Sequence, residues 1–389
     1  MPPVQFNVFG QTEVSTKLGY LGITATYADR REVVQFIPSV DGFEYRLASL
    51  INGMLRQDHK TVGFLTGHGE KSVRQDLSAF AGQLAGQYDI VEIENDPEAG
   101  LGLSEIDVLV IAGPTEEVPD SERDEITRYL TNGGKAMILL DPVLIDQGRL
   151  IAVRNRNSFV ELVEPFGVIL EDNVVFDPQY NESLSFNVGY GNVVLAYPYW
   201  AHVPTVDRKV TGEVQGAVMP WASSLGIADA EVGDVEVINL LRTQATAAVD
   251  YAYGDVTPNS AGLDLKDKQQ FESDLAVAVT GTARNGGDSE FRIVVAGDSD
   301  WVSDLVANRS GENLALGLNL MDWLAQEDAL AEIRSKVVAS RQLEFTSSTH
   351  QNVVQYANII GIPFLFVLIG LGLSLKRRRE TMKVYKREG

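Results

Sequence analysis

The sequence contains no cysteine and only four histidines in 389 residues. Without cysteine there are no disulfides, iron–sulfur clusters, cysteine-ligated zinc sites or cysteine nucleophiles. The histidines are widely spread, which argues against a multi-histidine metal site; they are His59, His68, His202 and His350. These absences exclude several classes of metalloprotein and redox protein.

Nucleotide and nucleophile motifs are also missing from the sequence. It has no Gly-x-Ser-x-Gly elbow, no P-loop and no Gly-x-Gly-x-x-Gly fingerprint. The sequence therefore argues against ATP hydrolysis by this chain and against a serine or cysteine nucleophile. We expect a protein that is not an enzyme and that uses no organic cofactor.

Positive charge is scarce relative to negative charge. The chain has 32 Lys and Arg against 54 Asp and Glu, a formal net charge of −22. Such a balance repels the phosphates of nucleic acid and excludes it as a partner. With 44% hydrophobic residues, the chain is nevertheless long enough to bury a large core.

The residues between 60 and 84 form a strand–turn–helix pattern around which the rest is organised. The apolar run Val62–Leu65 predicts a strand buried on both faces. Gly67 and Gly69 predict a sharp turn, Ser72 is placed as a helix N-cap, and apolar residues follow at helical spacing. This is the opening unit of a doubly wound α/β domain, in which the turn lies in the ligand crevice.

Strands and helices alternate along much of the remaining chain. Further strands are expected at 88–94, 107–112, 136–140 and after 291, and helices at 119–131, 159–166 and 313–326. The pattern predicts an α/β fold with a doubly wound, mostly parallel sheet. The expected segments are 1–57 (β-hairpin at 20–37 and helix at 43–55), 58–176 with 291–330 (α/β domain), 177–290 (β-rich insertion), 331–352 (stalk), 353–375 (transmembrane helix) and 376–389 (basic tail).

Polar residues follow four of the predicted strands. Because the carboxyl ends of parallel strands meet at one edge of a sheet, these side chains can converge; they are His68, Glu70, Asp141, Asp298 and Asp300, with turn glycines Gly67, Gly69, Gly113 and Gly297. A cluster of carboxylates with one histidine would accept a divalent cation. The alternative is that these Asp and Ser residues cap helices and that the Gly–Asp turns are ordinary loop chemistry.

Four aromatic residues of the insertion have two interpretations. They are Tyr197, Tyr199, Trp200 and Trp221. They form either a sugar- or peptide-binding face or, as such clusters more often do, part of the core.

The segment 359–375 carries no charge and predicts a membrane-spanning helix when extended back to 353. Basic residues follow it at once, so the positive-inside rule places the tail in the cytoplasm and the bulk outside it. The predicted anchor comprises Ile359, Pro363, Phe364, Leu375, Arg377, Arg378 and Arg379. The alternative is a buried core helix with a basic surface tail. The location expected is the inner (cytoplasmic) membrane, crossed once.

The first residues lack the basic and apolar regions of a signal peptide. We expect the chain to be part of a longer or split protein with an N-terminal membrane helix. A partner chain that supplies the missing region is the alternative.

Five motifs carry a family resemblance: FLTGHGE at 64–70, DVLVIAGP at 107–114, GGKAMILLDP at 133–142, VVAGDSD at 294–300 and the apolar, then arginine-rich tail. With them the sequence resembles the GldG family over residues 15–380. These are gliding-motility-associated auxiliary proteins of ABC-type transport systems, with a domain similar to one in intraflagellar-transport proteins.

The resemblance implies a non-catalytic domain of the class I glutamine-amidotransferase fold, held at the membrane beside an ABC permease and a separate ATPase. It also implies an N-terminal membrane helix and a further extracytoplasmic region, and this chain begins after both. We therefore expect an extracytoplasmic accessory subunit that acts by binding its permease and a substrate or envelope partner. The alternative is a metal-dependent envelope hydrolase or transferase that uses His68, Glu70 and Asp298.

Overall fold

The computed structural model describes residues 60–325, except 188–190, 252, 267 and 284–289, together with four strands between residues 4 and 34 and the single residue Phe364. Contacts divide the chain into two units, Met1–Ala339 and Ser340–Gly389. The first unit holds all the strands and helices below. Of the second unit, only Phe364 is described, and it is helical.

Two antiparallel hairpins come first in the described chain. Strands β1 (Val4–Phe9) and β2 (Val14–Gly19) form one, and β3 (Ile23–Tyr27) and β4 (Arg30–Val34) form the other. The second hairpin agrees with the pairing predicted between residues 20 and 37. The helix predicted at 43–55 lies outside the described residues.

Five parallel strands form one end of the main sheet. They are β5 (Thr61–Leu65), β6 (Asp89–Ile93), β7 (Val108–Ala112), β8 (Lys135–Leu139) and β21 (Glu290–Ala296). Their spatial order is β6–β5–β7–β8–β21, so β5 pairs with β6 on one side and with β7 on the other. Such a reversal of strand order opens a crevice at the carboxyl ends of β5 and β7.

Antiparallel strands extend the sheet beyond β21. They are β20 (Asp274–Ala283), which pairs with β21, β17 (Gly233–Arg242), which pairs with β20, and the short β16 (Leu225–Ile227) and β11 (Val168–Leu170). Three of these, β16, β17 and β20, come from the predicted insertion at 177–290. That segment therefore shares one continuous sheet with the α/β segments on either side of it.

Both faces of the parallel strands are buried, because successive side chains point to opposite faces. Val62 and Phe64 belong to one apolar cluster and Leu65 to another. Helices α1 (Ser78–Leu84) and α5 (Gly311–Leu324) contribute to the first cluster, and α2 (Asp120–Thr131) to the second. This confirms the predicted α/β class with a mostly parallel central sheet. Two single-turn helices, α3 (Arg208–Thr211) and α4 (Asp304–Ala307), complete the described helices.

Three smaller sheets surround a third apolar cluster. Their strands are β9 (Val143–Asp146), β10 (Ile151–Arg154) and β19 (Gly254–Asp255); β12 (Val174–Phe176) and β18 (Ala248–Asp250); and β13 (Asn181–Asn187), β14 (Asn192–Pro204) and β15 (Gly216–Pro220). The aromatic residues of the insertion lie inside this cluster, and the rings of Trp200 and Trp221 meet edge to face at 5.5 Å. They are core residues rather than an exposed binding face.

The helix predicted at 159–166 is instead two short 3₁₀ turns, Val160–Leu162 and Glu164–Phe166. Pro165 has no N–H to donate and disfavours a helical residue before it. Gly167 then adopts a left-handed conformation with φ of 83° and ends the segment. The helix was predicted from apolar spacing alone, which takes no account of the constraints that Pro165 and Gly167 place on the backbone.

Helix α1 begins at Ser78, later than predicted, and Ser72 does not cap it. The Ser72 hydroxyl accepts hydrogen bonds from the N–H groups of Arg74 and Gln75 within a separate turn. Asp304, from α4, caps the helix instead by accepting from the backbone of Ser78 and Ala79, at 3.2 and 2.8 Å.

In the part of the chain that the structure describes, no helix combines the length and apolar character that crossing a bilayer requires. The predicted membrane helix at 353–375 lies outside the described residues, apart from Phe364.

Candidate functional site

The loop after β5 is tied to the loop after β7, and both lie at the switch point of the sheet. The N–H of Lys71 donates to the carbonyl of Ala112 at 2.8 Å, and the N–H of Thr115 donates to the carbonyl of His68 at 2.9 Å. Gly67 and Gly69 have φ of 111° and 72°, which only glycine adopts readily. The glycine turn thus aims the side chains of residues 68–71 at fixed positions.

His68 is buried between two carboxylates. Its Nδ1 lies 3.1 Å from Oε1 of Glu70, and its Nε2 lies 3.2 Å from Oε2 of Glu122, in the first turn of α2. The N–H of His68 also donates to Oε2 of Glu70 at 2.7 Å. His68 therefore links the β5 loop to α2, behind the cleft described below.

Asp141, after β8, is bound to the segment that follows β21. The N–H of Ser299 donates to Oδ1 of Asp141 at 2.6 Å, and the Ser299 hydroxyl donates to Oδ2. Gly113 fits against this pair: a Cβ there would lie 2.5 Å from both Oδ2 of Asp141 and Oγ of Ser299, and its φ is 64°. The three strand ends β7, β8 and β21 are thereby locked together.

Asp298 is the most buried acid of this edge, with 3% of its surface exposed. Its Oδ1 accepts from the N–H of Asp300 at 2.7 Å, whereas its Oδ2 has no hydrogen-bond partner among the residues that the structure describes. Burial, with the nearby carboxylates of Asp300 and Asp141, raises the pKa of Asp298 well above its usual range. Burial also raises the pKa of Asp141, against the opposing effect of Lys71.

Lys71 is the cation of the cluster. Its Nζ donates to Oδ1 of Asp300 at 2.7 Å. Burial lowers the pKa of Lys71, but the carboxylates of Asp300, Asp141 and Asp298 together raise it above its ordinary value. Lys71 is therefore held as an ammonium among three carboxyl groups.

A partly open cleft of about 340 Å³ runs along these strand ends. Its polar and glycine lining comprises Gly69, Glu70, Lys71, Asp76, Gly113, Thr115, Asp141, Gln147, Asp298 and Asp300, and its apolar lining comprises Val143, Leu144, Ile145, Pro220 and Trp221. Trp221 has φ of 50°, a left-handed conformation that is rare for an aromatic residue. Backbone strain of this kind tends to cluster at binding sites.

The structure brings four of the predicted site residues into one cleft, namely Glu70, Asp141, Asp298 and Asp300. His68 is not part of the cleft lining. Gly297 lies so close to Ser223 that a Cβ there would be 2.2 Å from the Ser223 carbonyl oxygen. Sequence reasoning missed Lys71 and Glu122, and it named Trp221 only among the aromatic residues of the insertion, apart from the acidic strand ends. Lys71 had a usable signal, since it directly follows Glu70 and an acidic cluster needs a counter-ion.

No group of three or more His, Asp or Glu side chains is arranged to hold a metal ion in the described portion of the chain. The Lys71 ammonium offsets part of the negative charge of these carboxyl groups. The cleft can offer hydrogen-bond acceptors and negative charge beside an apolar wall.

Fold and cleft together define an α/β protein with a mostly parallel sheet and a charged cleft at its carboxyl edge. Residues 59–326 match the family described as an ABC-type uncharacterized transport system, and the chain belongs to that family. It is an auxiliary component of an ABC-type transport system, associated with the transporter. The predicted resemblance is confirmed at this level, whereas the narrower GldG assignment stays a prediction.

Similar proteins include an uncharacterized protein of Borreliella burgdorferi, 22% identical over 399 residues that cover 98% of this chain and 78% of that protein. Among solved structures, the mmIFT52 N-terminal domain is 13% identical with a TM-score of 0.46, covering 72% of this chain and 100% of that one. A glutamine amidotransferase of Thermotoga maritima is 8% identical with a TM-score of 0.31, covering 72% and 96%.

Proposed function

We propose that the chain is a membrane-anchored, extracytoplasmic accessory subunit that binds an ABC permease and works beside a separate ATPase. The observation that carries this proposal is the family match over residues 59–326. The absence of a P-loop from the sequence is consistent with ATP hydrolysis on another chain.

Anchoring is supported by the sequence of the C-terminal segment. Residues 359–375 carry no charge, and Lys376, Arg377, Arg378 and Arg379 follow directly. Phe364, within this run, is helical and 59% exposed. An exposed aromatic side chain at this position suits contact with lipid or with a permease helix.

The α/β unit, which comprises the described residues between 60 and 325, has the geometry of a binding module. Its cleft lies at the switch point of the sheet, where open α/β sheets bind ligands, and its volume falls in the range of small-molecule pockets. We propose that this cleft engages the substrate or an envelope partner. The alternative of a metal-dependent hydrolase or transferase gains no support from the described residues, because they offer no arrangement for the metal.

Co-purification tests the proposal. The full chain, tagged and expressed in its own host at native level, should recover a permease and an ATPase from detergent-solubilised membranes. Removal of residues 353–389 should abolish this recovery, whereas Asp229→Asn, an exposed substitution in the α/β unit, should leave it unchanged. Recovery of neither transporter component with the full chain would contradict the proposal.

A further inference from the structure

One acceptor of a residue that lines the cleft is not used by the described part of the chain. Asp298 is 97% buried, yet its Oδ2 makes no hydrogen bond with any described residue. A buried carboxylate oxygen without a partner costs about 1–3 kcal/mol, so such atoms call for a specific reason. A ligand that donates a hydrogen bond to this oxygen is such a reason.

The charges around Asp298 favour a cationic donor. Asp141, Asp298 and Asp300 place three carboxyl groups at the cleft against the single ammonium of Lys71. Of the two other acids in the lining, Glu70 contacts His68, and Asp76 accepts a hydrogen bond from the N–H of Ser72. An additional positive charge would offset the remaining repulsion, whereas an anion would increase it.

The size and walls of the cleft favour an organic cation. About 340 Å³ accommodates a small molecule rather than a polymer. One side is apolar, built from Val143, Leu144, Ile145, Pro220 and Trp221. Such a wall suits the methylene chain of an alkylamine, and no described side chains are arranged for a metal ion.

We infer that the cleft binds a small organic cation whose ammonium or guanidinium group donates to Oδ2 of Asp298. This inference deepens the proposed function and rests on its binding role, since it names the chemical class of the ligand. The cation pairs with the ionised carboxyl group, and its alkyl part lies against the apolar wall.

Binding of such a cation is coupled to the titration of Asp298. Burial and neighbouring carboxylates hold the pKa of Asp298 well above its usual range. A fraction of the protein molecules therefore carries a proton on this carboxyl group, and the cation displaces that proton when it binds. Affinity should therefore rise as the pH rises through that pKa. The titratable and charged groups that face or share this cleft are Glu70, Lys71, Asp76, Asp141 and Asp300.

Calorimetric titration of the purified full chain tests the inference. The probes are butylammonium, agmatine and guanidinium chlorides at constant ionic strength, with butanol as the uncharged match and magnesium chloride as the inorganic cation. We expect saturable binding of at least one organic cation at pH 8, weaker binding at pH 5, and none of butanol.

Two variants locate the site. Asp298→Asn keeps the acceptor for the Asp300 N–H and should weaken binding at least about tenfold, with loss of the pH dependence. Asp229→Asn removes the same charge from an exposed position and should bind as the wild type does. Urea unfolding of both variants confirms that they are folded.

Several outcomes would overturn the inference: no saturable binding of any organic probe at pH 8, equal binding by Asp298→Asn, or tighter binding of magnesium than of the organic cations. Co-purification of the wild-type chain with the permease and ATPase separates the two proposals. If that complex is recovered while the organic cations fail to bind the wild-type chain, the ligand class is wrong and the transporter role stands.

Discussion

The buried carboxyl group of Asp298 lowers the stability of the folded protein when it is ionised. Its pKa is raised by burial and by Asp300 and Asp141, so the folded protein holds this proton more tightly than the unfolded chain does. A carboxyl group of this kind contributes most to stability below about pH 4, near its unfolded pKa. That contribution is lost as the pH rises through the raised pKa.

Asp298→Asn should therefore stabilise the folded protein at pH 8, by about 1 kcal/mol, since the amide carries no charge to desolvate. The gain should shrink or reverse at pH 4, where the wild-type carboxyl group is protonated. Urea unfolding midpoints at the two pH values measure this. A variant less stable than the wild type at pH 8 would show that Asp298 is already compensated.

Lys71→Met should have the opposite effect. Among the described residues that line the cleft, Lys71 alone is positively charged. Its loss leaves Asp300 without its ion pair and should cost about 2–3 kcal/mol at pH 8, allowing for partial exposure of the pair. The loss should be smaller at pH 4.

Lys266→Met is the matched control for Lys71→Met, because Lys266 is 86% exposed. It should change stability by about 0.5 kcal/mol or less. Chemical denaturation of both variants makes the comparison, and equal losses would contradict a special role for Lys71.

Helix α1 depends on a cap that comes from a distant part of the sequence. Asp304 accepts from the first N–H groups of the helix although it lies 226 residues from Ser78. Asp304→Ala should destabilise the protein by about 1–2 kcal/mol, because these donors are left without an acceptor. Thermal unfolding measures the loss.

Ser72→Ala is the comparison that separates the predicted cap from the observed one. The Ser72 hydroxyl accepts only two long hydrogen bonds of 3.3 Å within its turn. Its removal should therefore cost less than removal of the Asp304 carboxylate. A larger loss of stability in Ser72→Ala than in Asp304→Ala would support Ser72 as the cap, as predicted from the sequence.

Strands and helices were predictable from the sequence where neighbouring residues determine them. The apolar run Val62–Leu65 identifies a strand because both of its faces are buried, and Pro119 with its acidic neighbours marks the start of α2. The signal failed at 159–166, where apolar spacing imitated a helix that Pro165 interrupts. It failed at Ser72 because the true cap lies far away in the sequence.

For the whole molecule, the convergence of Glu70, Asp141, Asp298 and Asp300 was predictable from parallel strands alone. Their chemistry was not, since the unpaired Oδ2 of Asp298 and the position of Lys71 depend on side-chain packing among the segments that follow β5, β8 and β21. Likewise, periodicity suggested a separate insertion at 177–290, whereas long-range pairing of β20 with β21 joins it to the main sheet.

The proposed anchor makes a prediction about sidedness. A tag at the C-terminus should be protected from protease added outside intact cells or right-side-out vesicles, because the arginines at 377–379 favour the cytoplasmic face. A tag within the α/β unit, at the exposed Asp229, should be cleaved. Cleavage of the C-terminal tag alone would contradict the proposed orientation.

The pairing of β8 with β21 has a consequence for biosynthesis. β8 ends at Leu139, but its parallel neighbour begins only at Glu290, so a nascent chain carries an unfinished sheet edge while the ribosome makes everything between them. Asp298 and the Asp304 cap arrive later still. A polypeptide arrested before residue 290 would hold strands β5 to β8 without the partner that completes them, and is a natural substrate for chaperones.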